Sequence, residues 1–373
     1  MKIIHLCDSI NIQGGYEKVV VFLTEQFVSN GHKVEIWLWN EKIKCFYELD
    51  KDVKIVSLGS DLKNFLNLFT PFRIIMSLLI KWKVYFKYKK LLQRDSEIDF
   101  VLIHRHGLSD NLDHFDGLHK NSYNILHVDY NNKYCNHINK LNLFFRLKAK
   151  TKNNLIVLTE DSKDAALLDG CKNVFKINNA LTFNSNKKSK LDQNVIISVG
   201  RYGYQKNFEL LINAFALVCN KNSTWKLKIV GSQVENNSSL KALIFKHGIH
   251  DRIELLNEQK NIVKQYLSAS IYVLPSRWEG FPLVVLEAME CGLPILSSNI
   301  NGIREVLNES NSLFFESDNV IMLSEKLECL INNENIRKTL SKNAINSVQK
   351  FKPESIMLQW ENFFNEQKKH RCK

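Results

Sequence analysis

The chain has 373 residues, 45% of them hydrophobic, which is more than one ordinary core organises and enough to fill two. Its net charge of +12 is largely local. Lys63, Arg73, Lys81, Lys83, Lys87, Lys89, Lys90 and Arg94 fall in residues 62–94 with no acidic residue among them, so the total is no argument for nucleic acid. Eight scattered cysteines without a Cys-x-x-Cys pair argue against a disulfide framework and a zinc site, and the apolar run at 1–8 is too short for a signal-peptide core. A cytoplasmic protein with reduced thiols is expected.

In chain order, the first half opens as a strand at 3–6, a glycine loop at 11–15, a helix at 17–30 and a strand at 33–39. Val19, Val20, Phe22, Leu23 and Phe27 keep helical spacing and Gly31 ends the helix, so a right-handed βαβ unit on a parallel sheet is predicted. Glu35 alternates with Val34 and Ile36, which places it on a solvent-facing side of its strand. Further strands are predicted at 53–58, 100–104, 123–128, 155–158 and 174–177. Between the third and fourth strands lies the basic segment. It is interleaved with Phe65, Phe69, Phe72, Leu79, Trp82, Tyr85, Phe86 and Tyr88, and no uncharged run in it is long enough to cross a bilayer. A basic, aromatic, amphipathic stretch of this kind suits peripheral contact with an anionic membrane, the alternative being core-packed helices with a solvated basic face.

The polar stretch 184–194 reads as a linker between domains at 1–183 and 195–352. A second array follows it: strands at 195–199, 226–230, 253–256 and 271–275 alternate with helices at 207–220, 239–247 and 262–268. A last helix is predicted at 353–369. The fold class is therefore α/β, two Rossmann-like doubly wound domains facing across a cleft, with ligands at the carboxyl ends of the strands.

Chemistry-bearing residues gather at those strand ends. Gly14-Gly15-Tyr16-Glu17 opens the first helix, where a glycine lets the backbone approach a ligand. His104 and His106 follow the 100–104 strand, and His127 follows the next one. Val199-Gly200-Arg201 leads through Tyr202-Gly203-Tyr204-Gln205 to Lys206, placing two cations in one loop. Val230-Gly231-Ser232 ends another strand. The most specific stretch is Trp278-Glu279-Gly280-Phe281-Pro282-Leu283, continuing to Glu287 and closing at Gly292 and Pro294. Pro282 suits a first helical position, so the helix is predicted from about Leu283, with Gly292 as its left-handed cap. Glu279 then lies just outside the helix and Glu287 two turns in. The backbone N–H groups of Gly280, Phe281 and Leu283 face outward beside the positive end of the helix dipole. Asp50-Lys51-Asp52 has metal-binding spacing but stands in a loop remote from this helix, and no metal or cofactor is expected.

The two Glu separated by seven residues, with Gly-Phe-Pro-Leu-Val-Val-Leu between them, resemble the signature of family 4 of the retaining, nucleotide-sugar-dependent glycosyltransferases. The resemblance is strong over 195–305, good over 1–35 and weak over 40–150. It implies the B-type glycosyltransferase fold, in which the 353–369 helix packs back on the first domain, and transfer of a hexose or N-acetylhexosamine, most simply from a UDP-sugar, with the anomeric configuration retained and no metal. Carried onto this chain, it gives Glu279 the sugar hydroxyls and Glu287 the donor ribose. Arg201 and Lys206 take the diphosphate, with Gly15 and Gly231 as further donor contacts and His127 as the cleft histidine, ahead of His104 and His106. The cations have a clear physical task, since departure of a nucleoside diphosphate builds negative charge that preplaced positive groups stabilise. A lipid-linked glycan or lipopolysaccharide intermediate is the acceptor implied by the basic segment and by a lesser cluster at Arg146, Lys148, Lys150 and Lys152. That places the protein at the inner face of the cytoplasmic membrane, in surface polysaccharide biosynthesis. A nucleotide-sugar epimerase of the same fold, or a noncatalytic nucleotide-sugar-binding module, remains an alternative. A nicotinamide dehydrogenase would use Gly15 and Glu35, but the chain lacks Gly-x-Gly-x-x-Gly there.

Overall fold

The computed structural model describes residues 1–8, 10, 14–40, 45, 47–60, 70–105, 119–130, 154–219 and 224–370. The chain divides into two compact units, Met1–Asn178 and Asn179–Lys373. His106, residues 62–69 of the basic segment and the expected cluster at 146–152 lie outside the described residues.

The first unit runs β1 (Lys2–Cys7), α1 (Gly15–Ser29), β2 (Lys33–Asn40), β3 (Lys54–Ser60), α2 (Thr70–Arg94), β4 (Ile98–Arg105), β5 (Ser122–Leu126), β6 (Asn154–Val157), α3 (Glu160–Leu168) and β7 (Asn173–Lys176). Its described strands pair in the order β3-β2-β1-β4-β5-β6-β7, all parallel. Strands of such a sheet are covered on both faces, and the apolar runs of β1 and β4 are buried accordingly. Helix α1 lays Val19, Val20, Leu23 and Phe27 against the sheet and ends at Gly31, whose φ of 79° is the left-handed cap its sequence predicts. Helix α2 buries Val84 and Tyr88 in a core with Trp37 and Trp39.

Burial on both faces overturns one sequence expectation. Glu35 does not face solvent: it is 5% exposed, accepts from the Trp37 indole at 2.9 Å and pairs with Lys2 at 3.0 Å, while Lys2 also pairs with Asp95. Burial opposes ionisation of Glu35, but hydrogen bonds from Trp37 and Lys2 and the Lys2 charge hold its carboxyl below the usual range.

The second unit runs β8 (Val195–Val199), α4 (Phe208–Cys219), β9 (Lys226–Val230), α5 (Ser238–Lys246), β10 (Ile253–Leu256), α6 (Ile262–Leu267), β11 (Ile271–Leu274), α7 (Leu283–Glu290), β12 (Ile295–Ser298), β13 (Ser312–Phe315), α8 (Val320–Asn332), α9 (Glu334–Val348) and α10 (Pro353–Lys369). Its described strands are again parallel, in the order β10-β9-β8-β11-β12-β13. The strand order reverses between β1 and β4 in the first unit and between β8 and β11 in the second. Doubly wound sheets bind ligands at such switch points, outside the carboxyl ends of the strands.

Residues 184–194, whose composition reads as an interdomain linker, lie inside the second unit. Glu290 is fully buried near the end of α7 and recruits this stretch: Lys188 Nζ lies 2.8 Å from its carboxylate and the Ser185 N–H donates at 3.1 Å. The Ser189 N–H donates to the Cys291 carbonyl at 2.7 Å. A buried carboxylate needs a cation and donors, and this strap supplies both. The closing helix α10 also belongs to the second unit.

Candidate functional site

At the switch point of the second sheet, the loop after β8 and the loop after β11 meet. Lys206 Nζ lies 2.7 Å from Glu279 Oε1, with the two side chains only 15% and 8% exposed. Gln205 joins the pair, donating from Nε2 to the Trp278 carbonyl at 2.8 Å and reaching the other Glu279 oxygen at 3.5 Å. The Arg277 N–H donates to the Gln205 carbonyl at 2.8 Å and closes the second link between the loops. The predicted Lys206 and Glu279 are therefore brought together, while Arg201, earlier in the same loop, projects into solvent.

Two glycines make this packing possible. A Cβ on Gly231, at φ 154°, would lie 1.9 Å from the Gly200 carbonyl oxygen, so the close approach that Gly231 permits is to the backbone of the neighbouring loop. A Cβ on Gly200 would in turn meet the Lys206 side chain at 2.8 Å. Gly200, Gln205 and Trp278 were not singled out as site residues by the sequence; they act through contacts between loops distant in the chain, which spacing within one loop does not encode.

Helix α7 starts at Leu283 as predicted, with Pro282 one position earlier, at the N-cap. The Leu283 N–H donates to the Phe281 carbonyl at 3.0 Å, and the Phe281 ring packs edge-on to Phe351 at 5.7 Å. Gly280 is half-buried between Glu279 and that anchor. Gly292 has φ 77°, and the Leu293 N–H returns to the Ala288 carbonyl, which ends the helix where the sequence places its cap. Glu287 is buried and separate from the Lys206 pair: it accepts from the Tyr266 hydroxyl at 3.0 Å and from Thr182 Oγ1 at 3.4 Å. Burial, then the Glu287 charge, pushes the Tyr266 phenol well above its ordinary 10, so it stays a donor.

In the first unit, Gly15 is exposed at the start of α1. Gly14 is the more constrained of the two, since a Cβ there would lie 2.2 Å from the Glu17 carboxylate and that buried side chain would have to shift. His104 and His127, offered by the sequence as competing candidates, are in contact: His104 Nδ1 lies 3.0 Å from His127 Nε2 and their rings stack at 5.2 Å and 13°. A third histidine, His5 on β1, lies 2.6 Å from His104 through Nδ1 and Nε2. Burial pushes His5 down to about 3. His5 escaped the sequence reading because strand register, not spacing, brings it to the others.

Residues 182–347 match the model of the family described as glycosyl transferases group 1. An uncharacterized glycosyltransferase of Haemophilus influenzae is 31% identical over 223 residues, covering 57% of this chain and 62% of that protein. The amylovoran biosynthesis glycosyltransferase AmsD of Erwinia amylovora is 29% identical over 220 residues, again 57% of this chain and 62% of the relative. The chain thus spans less than two thirds of the length of either. The crystal structure of S. aureus TarM with ligands that include UDP superposes with a TM-score of 0.77 at 15% identity, covering 98% of this chain and 99% of that one. The two Rossmann-like α/β domains expected from the sequence are present, and their fold is that of the B-type glycosyltransferases.

Proposed function

We propose that the protein is a retaining, metal-independent family 4 glycosyltransferase that moves a hexose or N-acetylhexosamine from a UDP-sugar to a lipid-linked glycan in surface polysaccharide or lipopolysaccharide assembly. The observation that carries this reading is the Lys206–Glu279 pair at the β8/β11 switch point. An ammonium and a carboxylate 2.7 Å apart in a largely buried site form a divided ligand platform. The cation suits a diphosphate oxygen and the carboxylate suits sugar hydroxyls. Arg201 adds a second positive charge to the same loop, so charge building on the leaving β-phosphate is met without a divalent ion. Gly280, Phe281 and Leu283 offer backbone N–H groups at the start of α7, although the Leu283 N–H must first leave its present acceptor. Glu287 serves the ribose by exchanging its Thr182 contact for the sugar hydroxyls. Gly231 sets the loop spacing, and Gly15 and His127 are the donor and sugar contacts offered by the first unit. With no carboxylate nucleophile evident among the described residues, front-face attack, in which the leaving phosphate takes the acceptor proton, is the simplest route to retention.

UDP in the TarM complex and the polysaccharide role in the name of AmsD support the donor and the process. Helix α2 supports a membrane-held acceptor reached from the cytoplasmic side. No helix among the described residues is long and apolar enough to cross a membrane. The test is transfer of label from a panel of nucleotide sugars into the lipid fraction of membranes from the source cell. One donor should serve, and Glu279→Ala should abolish the transfer. Interconversion of the donor without transfer would overturn the reading in favour of an epimerase, and binding without chemistry in favour of a noncatalytic module.

A further inference from the structure

The three histidines of the first unit form a staircase set by sheet register. His5 on β1 is opposite Leu102 on β4, and His104 lies two residues beyond Leu102. His104 is opposite Ile125 on β5, and His127 lies two residues beyond Ile125. Because side chains alternate with period two, each step stays on one face of the sheet and climbs toward the carboxyl ends of the strands. His5 is fully buried and His127 is half-buried, so the staircase runs from the core to the switch-point end. The rings are clamped. Phe27 stacks on His5 at 5.6 Å and 19°, and Tyr16 stands edge-on to His104 and His127 at 6.2 and 5.1 Å while its hydroxyl donates to the His104 carbonyl at 3.2 Å.

The positions of the protons follow from one buried atom. His5 Nε2 has no hydrogen-bond partner among the described residues, and burial keeps His5 neutral, with a single N–H. An orphaned buried N–H is rarer and costlier than an orphaned lone pair, so the bare nitrogen is Nε2 and the proton is on Nδ1. His5 Nδ1–H therefore donates to His104 Nε2 across 2.6 Å. His104 must carry its own proton on Nδ1, which donates to His127 Nε2 across 3.0 Å. We propose that His104, backed by His5, is a positioning residue that fixes His127 in the tautomer with its proton on Nδ1 and its Nε2 occupied as an acceptor.

The consequence is chemical. In this tautomer Nδ1 of His127 is a hydrogen-bond donor, the polarity that a ligand's sugar hydroxyl or phosphoryl oxygen would complement, and its Nε2 is not available as a general base. The identity of that ligand rests on the proposed glycosyltransferase reading; the tautomer does not.

The test is long-range proton–nitrogen correlation NMR on full-length protein with 15N-labelled histidine, recorded without substrate. The wild type should show His127 protonated at Nδ1 and bare at Nε2. In His104→Phe the donor is lost and His127 should revert to the Nε2–H form favoured by free imidazole. In His104→Asn the amide nitrogen falls near the former Nδ1 and should keep His127 in its original tautomer. In the labelled-sugar assay, His104→Phe should lower kcat about tenfold, the scale of one misplaced hydrogen bond, and His104→Asn should recover most of it. A merely structural His104 would move stability and leave the tautomer alone. A wild-type His127 protonated at Nε2, or Phe and Asn variants that match in tautomer, would overturn the proposal. If His104→Phe fails to fold, the wild type and His104→Asn still decide. If the protein moves no sugar while the tautomers follow this pattern, the transferase reading fails and the positioning role stands.

Discussion

Gly231 stands where no side chain fits, with the Gly200 carbonyl 1.9 Å from where a Cβ would lie and φ at 154°. Alanine there must strain the backbone or separate the β8 and β9 ends, and either moves the loop that carries Lys206. Gly231→Ala should cost about 3 kcal/mol in urea unfolding, at the upper end of single-residue backbone strain. Gly203, with nothing within 4 Å of its hypothetical Cβ and no left-handed φ, should accept alanine with little loss. Equal costs at the two positions would refute the argument. The sequence marks both as glycines in or near binding loops, and only the packing separates them. Glu35 teaches the same lesson in reverse. Alternation reports a solvent face in an antiparallel sheet, but a parallel strand is covered on both sides, so an acidic residue within it signals a buried ion pair.

Among the elements, α7 was the most legible, because its start, its glycine stop and its two Glu are local signals that capping chemistry alone specifies. The 184–194 strap was illegible because polar composition looks the same in a free linker and in a chain that feeds donors to a buried carboxylate. Helix α2 falls between these. Its basic, aromatic character was plain, but only the fold shows which face is free. Val84 and Tyr88 are fully buried, while Leu79, Trp82 and Phe86 are 58%, 66% and 53% exposed at helical spacing i, i+3, i+7. Lys83, Lys89 and Lys90 fall on the same side as the three exposed apolar residues, opposite the buried stripe. That face has the composition of a helix lying at an anionic surface. Each lysine near such a surface is worth about 1 kcal/mol, so replacing all three by Gln should weaken sedimentation with phosphatidylglycerol vesicles about a hundredfold at low salt. Binding to neutral vesicles should be weak for both proteins. Undiminished binding of the triple variant would remove the membrane from the account.

At the scale of the whole molecule, the two units differ in what their cores bury and hence in how they respond to acid. Each has its own apolar clusters, those around Trp37, Cys7 and Leu126 in the first unit and that around Phe215 in the second. The first unit holds His5 neutral with its pKa down at about 3, against an ordinary 6.5. The unfolded chain takes up a proton as pH falls through 6.5 and the folded unit does not, so stability is lost progressively between about 6.5 and 3. Glu35 and Asp95 act in the same direction at lower pH. Burial raises them, but hydrogen bonds from Trp37 and Lys2 at Glu35, and from Lys2 at Asp95, prevail and depress both. Their contribution is present above the ordinary carboxylate values and is lost as pH falls through the depressed ones. In the second unit the large shifts are those of Tyr266, Tyr272 and Cys291, all raised by burial, so its corresponding losses come as pH rises past the ordinary values of these groups. Calorimetric scans from pH 7 to pH 4.5 should therefore show one transition moving down in temperature well ahead of the other. His5→Phe keeps the stack on Phe27 and removes the titrating ring, so it should flatten the pH dependence of that transition alone. Two transitions that descend together, or a slope that survives His5→Phe, would mean that the acid sensitivity lies elsewhere than in the buried end of the histidine staircase.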